Sequence, residues 1–148
     1  MEYEDILDDL APCGLSCRKC FANTRGGIVV LSGRLQDRLG AFDVYAERFG
    51  AFLPAFEEYP SFKEVLAYLA QGHCEGCRSG TCLYPSCGVT TCYQDQGVDF
   101  CFQCNEFPCE KTNFDPHLQR KWVQMNERMG EIGVEGYYEE TRDQPRYG

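Results

Sequence analysis

His73-Cys-Glu-Gly-Cys77 opens, and Cys101-Phe-Gln-Cys104-Asn-Glu-Phe-Pro-Cys109 closes, the stretch whose reading decides the fold. Eight of the chain's eleven cysteines fall inside it: Cys74, Cys77, Cys82, Cys87, Cys92, Cys101, Cys104 and Cys109. Residues 73–109 hold no sustained apolar period, and Gly76, Gly80, Pro85, Gly88, Gly97 and Pro108 punctuate them. A compact domain rarely carries so long an irregular stretch unless something orders it. Metal ligation would supply that order. The other three cysteines lie upstream in Cys13-Gly-Leu-Ser-Cys17-Arg-Lys-Cys20.

Outside these clusters the apolar periods are helical. Tyr3, Ile6, Leu7 and Leu10 recur at i, i+3, i+4 and i+7, predicting a short helix that Pro12 ends. Ile28, Leu31, Leu35 and Leu39 form one stripe. Phe42, Tyr45, Ala46, Phe49, Phe52, Leu53 and Phe56 form a second, and Gly40 separates them into a hairpin or a kinked helix. The aromatic stripe reads as core rather than as the lining of a ligand pocket. Ser61-Phe-Lys-Glu64 has the form of a capping box, followed by Phe62, Val65, Leu66 and Leu69 and a left-handed cap at Gly72. Asp115-Pro116 opens the last helix as N-cap and first residue. Its buried stripe is Leu118, Trp122, Met125, Met129 and Ile132, with Gly133 as its stop. The expectation is a single, mostly α domain over 1–148, with few short strands at most. Helical parts 1–72 and 115–148 would pack around a cysteine-rich, loop-dominated, zinc-binding segment, 73–109.

The chain of 148 residues is 43% hydrophobic, long enough to bury a core. Its net charge of −9 and lack of a basic segment argue against nucleic-acid binding, which needs cations to displace counterions from phosphates. The acidic Met1–Leu10 segment has neither the basic start nor the apolar run of a secretion signal. No stretch reaches the roughly 20 apolar residues of a membrane span. A cytoplasmic setting follows as the expectation, and there thiols stay reduced and dense cysteines bind metal more often than they pair. The odd number of cysteines points the same way.

Three Cys-x-x-Cys pairs occur: Cys17/Cys20, Cys74/Cys77 and Cys101/Cys104. That spacing lets one tight turn aim two sulfurs at one ion, about 2.3 Å from each. Gly76 eases the backbone of one such turn. A thioredoxin-type redox role needs a strand-to-helix context that the pattern lacks. Cys13-x3-Cys17-x2-Cys20 has the spacing of the radical-SAM iron–sulfur motif, but those enzymes are built on βα barrels and this chain is short and helical. The continuous cysteine run of bacterial ferredoxins is absent. Zinc is therefore preferred, as two or three ions, with an iron–sulfur cluster as the alternative cofactor. All eleven cysteines are candidate ligands. By proximity Cys74, Cys77, Cys82 and Cys87 form one site, Cys92, Cys101, Cys104 and Cys109 a second, and Cys13, Cys17 and Cys20 a third that lacks a ligand; cross-braced pairing is the alternative. A three-cysteine site with an open position is also the form a catalytic zinc would take. His73 is the nearest imidazole candidate, and His117 is the only other histidine. No catalytic triad, phosphate-binding glycine loop or His-Glu-x-x-His is present.

Pro12-Cys-Gly-Leu-Ser-Cys-Arg-Lys-Cys20, His73-Cys-Glu-Gly-Cys-Arg78, Cys101-Phe-Gln-Cys-Asn-Glu-Phe-Pro-Cys109 and Ile132-Gly-Val-Glu-Gly136 together resemble the prokaryotic domain of unknown function numbered 3795. The resemblance implies a small, cysteine-rich, zinc-binding protein and no particular activity. Members of that family often have fewer cysteines, which sets Cys82 and Cys87 apart. Two roles remain: a zinc frame that presents a surface to a protein partner, and a metalloenzyme or redox protein that uses Cys13, Cys17 and Cys20.

Overall fold

The computed structural model describes residues 1–80 and 82–148. Six α-helices occur among them: α1 (Tyr3–Asp9), α2 (Gly27–Leu39), α3 (Phe42–Gly50), α4 (Tyr59–Gln71), α5 (Val89–Asp95) and α6 (Pro116–Thr141). Single 3-10 turns lie at Pro54–Glu58, Cys77–Ser79 and Cys101–Gln103. The described residues form no strand, and an isolated β-bridge pairs Leu10 with Ser16. The protein is thus mostly α around a cysteine-rich segment. None of its helices is long and apolar enough to cross a membrane. The chain divides into two compact units, residues 1–20 with 74–148, and residues 21–73.

In the first unit α6 is the spine. Asp115 caps it by accepting from the Leu118 amide at 3.0 Å, and Pro116 starts it, as the sequence predicts. Gly133 (φ 79°, ψ 164°) interrupts the helix where a stop is expected. The chain then resumes helical geometry to Thr141 and buries Val134, Tyr137 and Tyr138. The core gathers Ile6 and Leu10 from α1, Cys13 and Cys17 from the following loop, Val89 from α5, Phe100, and Trp122, Met125 and Met129 from α6. Phe107 and Phe114 meet the Trp122 ring edge-on. The helix α5 was not predicted: Val89 is its one buried position, so no apolar period marks it.

The second unit departs further from its sequence pattern. The break at Gly40 separates α2 from α3 as expected, but α2 packs chiefly on α4 rather than on α3. The expected face of α2 is not the buried one: Leu31 is 64% exposed and Leu35 also faces solvent, while Val29 and Ser32 are buried. The capping box at Ser61 is also absent. The helix starts at Tyr59, with its N-cap at Glu58 three residues before Ser61 and Pro60 in its first turn; it continues from the 3-10 turn, and no side chain caps it. Gly72 has positive φ (69°) but ψ of 144°, extended rather than left-handed helical. Tyr59 and Leu66 are buried on α4, whereas Phe62 and Val65 are exposed. The aromatic stripe is core in part: Phe42, Phe49, Phe56 and Tyr59 stack at centroid distances of 5.2–6.1 Å, while Tyr45, Phe52 and Leu53 lie outside.

Candidate metal centre

The eleven cysteines are thiols, and none is fully exposed. Tight turns place many of their sulfurs over backbone amides. The Gly76 amide donates to Cys74 Sγ at 3.2 Å, the Tyr84 amide to Cys82 Sγ at 3.4 Å and the Glu106 amide to Cys104 Sγ at 3.4 Å. Amides of Leu15 and Val89 act likewise on Cys13 and Cys87. In each case the donor lies two residues beyond the cysteine. Gly76, at φ 118°, supplies a conformation that L side chains avoid. A thiol is a weak acceptor and a thiolate a strong one, so amides aimed at sulfur favour the ionised, metal-binding form.

One group is Cys92, Cys101, Cys104 and Cys109. Helix α5 carries Cys92, the turn at Cys101–Gln103 carries Cys101, and the loop beyond it carries the other two. All four line a cavity of about 30 Å³ walled by Val89, Phe107 and Trp122. That is room for a single ion or water molecule. Burial raises the Cys92 pKa, and the charge of Cys109 adds to it. Burial pushes Cys101 up to about 11; the Trp122 indole N–H opposes the shift, while Cys109, Cys92 and Cys104 reinforce it. Trp122 is 1% exposed and its Nε1 completes no hydrogen bond, so this buried donor acts on the Cys101 sulfur without being satisfied.

A second group crosses from one cluster to the other. The Cys77 amide donates to Cys17 Sγ at 3.4 Å. Cys77 also hydrogen-bonds through its side chain to Cys17 and Cys82, and Cys82 to Cys87. These contacts lower Cys17 to about 7, with the Cys77 side chain as the largest cause, and lower Cys82 through Cys77 and Cys87. Cys77 and Cys87 rise correspondingly, each because its own proton is the one shared. Cys13, fully buried beside this group, is pushed by burial up to about 12. Close sulfurs cannot all ionise without a cation among them. The donor chemistry of both groups therefore fits a divalent, thiophilic ion. Among the described residues no three His, Cys, Asp or Glu side chains yet converge as a finished metal centre would require.

Of the other candidates, Cys20 Sγ accepts from Tyr147 Oη at 3.9 Å, and Cys74 keeps its sulfur on the Gly76 amide. His73 stacks on the Tyr68 ring at 4.2 Å and places Nε2 3.2 Å from the Tyr68 carbonyl. His117 is exposed in the first turn of α6. Cys17 is the member that spacing alone did not assign to Cys77, Cys82 and Cys87.

Two positioning residues also escaped the sequence reading. Asn126 is 0% exposed; its Nδ2 donates to the Cys13 and Trp122 carbonyls, each at 2.9 Å, and its Oδ1 accepts from the Phe102 amide at 3.0 Å. It lies on the buried stripe of α6, where an asparagine among apolar positions was the available signal. Arg78 donates to the Leu7, Leu10 and Asp99 carbonyls and lies over the Phe100 and Tyr93 rings. It thereby closes the C-terminal end of α1, whose last carbonyls have no helical partner.

The chain belongs to the family described as protein of unknown function (DUF3795), which it matches over residues 9–114. That span holds every cysteine and stops just short of α6. Neither a curated protein nor a solved structure matches the chain.

Proposed function

We propose that this protein binds zinc through two sulfur sites, that the ions are structural, and that the frame presents a surface to a protein partner in the cytoplasm. The observation that carries the zinc reading is the gathering of Cys92, Cys101, Cys104 and Cys109, from separate elements, around one cavity of single-ion size. Cys17, Cys77, Cys82 and Cys87 would hold the second ion. Bound zinc would supply charge neutralisation and cross-linking, on the order of 10 kcal/mol of folding free energy per site. Both sites would then be closed by four thiolates, which is the structural arrangement and leaves no open position for catalysis. The partner reading is supported by the exposed apolar side chains of residues 21–73, among them Leu31, Val44, Phe52 and Val65, more than a small unit needs to leave uncovered. The reduced cysteines suit a reducing compartment.

Metal analysis of protein purified without oxygen tests the reading. The expected result is a colourless protein with two zinc ions per chain and an all-sulfur shell at about 2.3 Å by X-ray absorption. Cys92→Ser and Cys82→Ser should each cost one ion. Iron with broad visible absorbance would overturn zinc, and protein that binds no metal would overturn the reading altogether.

A further inference from the structure

A second cavity, of about 430 Å³, lies in the first unit between the Cys13–Cys20 loop, α6 and residues 144–146. Its charge is out of keeping with the chain. In a protein of net charge −9, four cations line it (Lys19, Lys121, Arg128 and Arg146) against one carboxylate, Glu140, for a formal +3. Glu140 is already engaged by Arg128, at 2.9 and 3.2 Å.

The other three cations are held by carbonyl oxygens, and Arg146 also lies over the Tyr147 ring at 5.8 Å. Lys19 Nζ donates to the Thr141 and Gln144 carbonyls at 2.6 and 2.7 Å. Lys121 Nζ donates to those of Arg146 and Gly148 at 3.3 and 3.4 Å, and Arg146 Nη1 to that of Ser16 at 2.5 Å. None of the three takes part in an ion pair among the described residues. Each ammonium has three donors and uses two, so a donor and the charge are left over. Arg146 has an explanation in the sulfurs, since its field falls on Cys20, Cys13 and Cys17. Of the two lysines, Lys19 has the charges of Asp143 and Asp9 near it.

We propose that this cavity binds a small phosphate monoester, its phosphate held by Lys19, Lys121 and Arg146. A phosphate monoester carries about −1.5 to −2 charges at neutral pH and three acceptor oxygens, which suits a wall of three cations. The volume falls in the range of small-molecule sites, of roughly 300–1,000 Å³. Leu15 and Met125 line the same cavity and offer an apolar wall to an organic group, which a bare ion would not use. Neither lysine is a candidate metal ligand, so the site stands apart from the zinc reading.

Titration calorimetry of the metal-loaded full chain, with phenyl phosphate and inorganic phosphate as probes, tests the proposal. Phenyl phosphate should bind at one site with Kd below about 1 mM, and inorganic phosphate at least about tenfold more weakly. Lys19→Gln and Lys121→Gln should each weaken phenyl phosphate about fivefold or more, while Lys121→Arg, which keeps the charge, stays within about twofold. Arg120→Gln, outside the cavity, should change nothing; melting curves of each variant confirm that the fold persists. No saturable heat with phenyl phosphate up to about 10 mM would overturn the proposal, as would equal loss in Arg120→Gln. Equal affinity for the two probes would overturn the organic-ester assignment.

Discussion

Asn126→Ala is the substitution that most directly tests how the cysteine loops are held. The side chain is wholly buried and joins three segments: the Cys13 loop, the turn that carries Cys101, and α6 itself. The Trp122 carbonyl keeps its backbone partner in the helix, so that bond is lost cheaply. The Cys13 carbonyl loses its donor in a buried setting, at about 2 kcal/mol. The Phe102 amide is only partly buried, and water can recover some of its loss, leaving about 1 kcal/mol. The expected destabilisation is therefore about 3 kcal/mol, a large share of the stability of a domain this size. Trp122, the sole tryptophan, sits one helical turn away and reports unfolding directly. Urea titration followed by its fluorescence, at equal metal content, should show the midpoint falling with little change in slope. Asn126→Asp keeps an acceptor for Phe102 but turns an anion toward the Cys13 carbonyl, and should be at least as damaging. A loss below about 1 kcal/mol in Asn126→Ala would refute the role assigned to these bonds.

Three further outcomes follow from particular contacts. Gly88 has ordinary negative φ, but a Cβ there would lie 1.9 Å from the Lys111 carbonyl oxygen. Gly88→Ala should therefore cost several kcal/mol in urea titration, because backbone rather than a side-chain tip must move. Trp122→Phe keeps the ring stack but removes the unsatisfied N–H: the metal-free protein should be no less stable, while zinc affinity by chelator competition falls about 10- to 100-fold. Burial raises Tyr137 to about 12, aided by the Cys13 charge, so its contribution to stability is complete below about pH 10, the unfolded value, and is lost as pH rises toward 12. Stability measured from pH 9 upward should fall less steeply in Tyr137→Phe than in the parent.

Helices α1 and α6 of the first unit were legible because each carries its own local signal, the 3.6-residue period of α1 and the Asp115-Pro116 start and Gly133 of α6, whereas α5 carries none. The gathering of Cys92 with Cys101, Cys104 and Cys109 around one cavity was also legible, because those cysteines are neighbours in sequence. What stayed hidden depends on contacts between distant segments. Cys17 reaches Cys77 across sixty residues, and Asn126 reaches Cys13 across 113, and no local period encodes either. The stripes of α2 and α4 misled for a different reason. Apolar periodicity marks a face that could be buried, and a three-helix unit has too little mass to cover every such face. Leu31 and Val65 therefore carry a core pattern and remain 64% and 58% exposed.

The two sulfur groups should also differ in how far they depend on metal. The loop around Cys101 is tied down by protein alone: the Cys101 amide donates to the Pro12 carbonyl at 3.0 Å, the Phe102 amide to Asn126, and Gln119 Nε2 to the Cys109 carbonyl at 2.7 Å. Residues 82–87 have far less. Tyr84 Oη meets Asp115 at 3.3 Å, Asn113 Nδ2 donates to the Ser86 carbonyl at 3.0 Å, and both contacts are exposed. What fixes this segment inward is the Tyr84 ring, edge-on to Phe114 at 5.6 Å, and its sulfurs, Cys82 and Cys87. Zinc removal should thus release 82–87 first and 99–109 later, while helices α2–α4 of the other unit keep their protection. Hydrogen exchange by mass spectrometry, before and after chelation, resolves the three regions. If 99–109 opened together with 82–87, the hydrogen bonds of Asn126 and Gln119 could not be what preorganises the Cys101 site, and metal would have to be its only support.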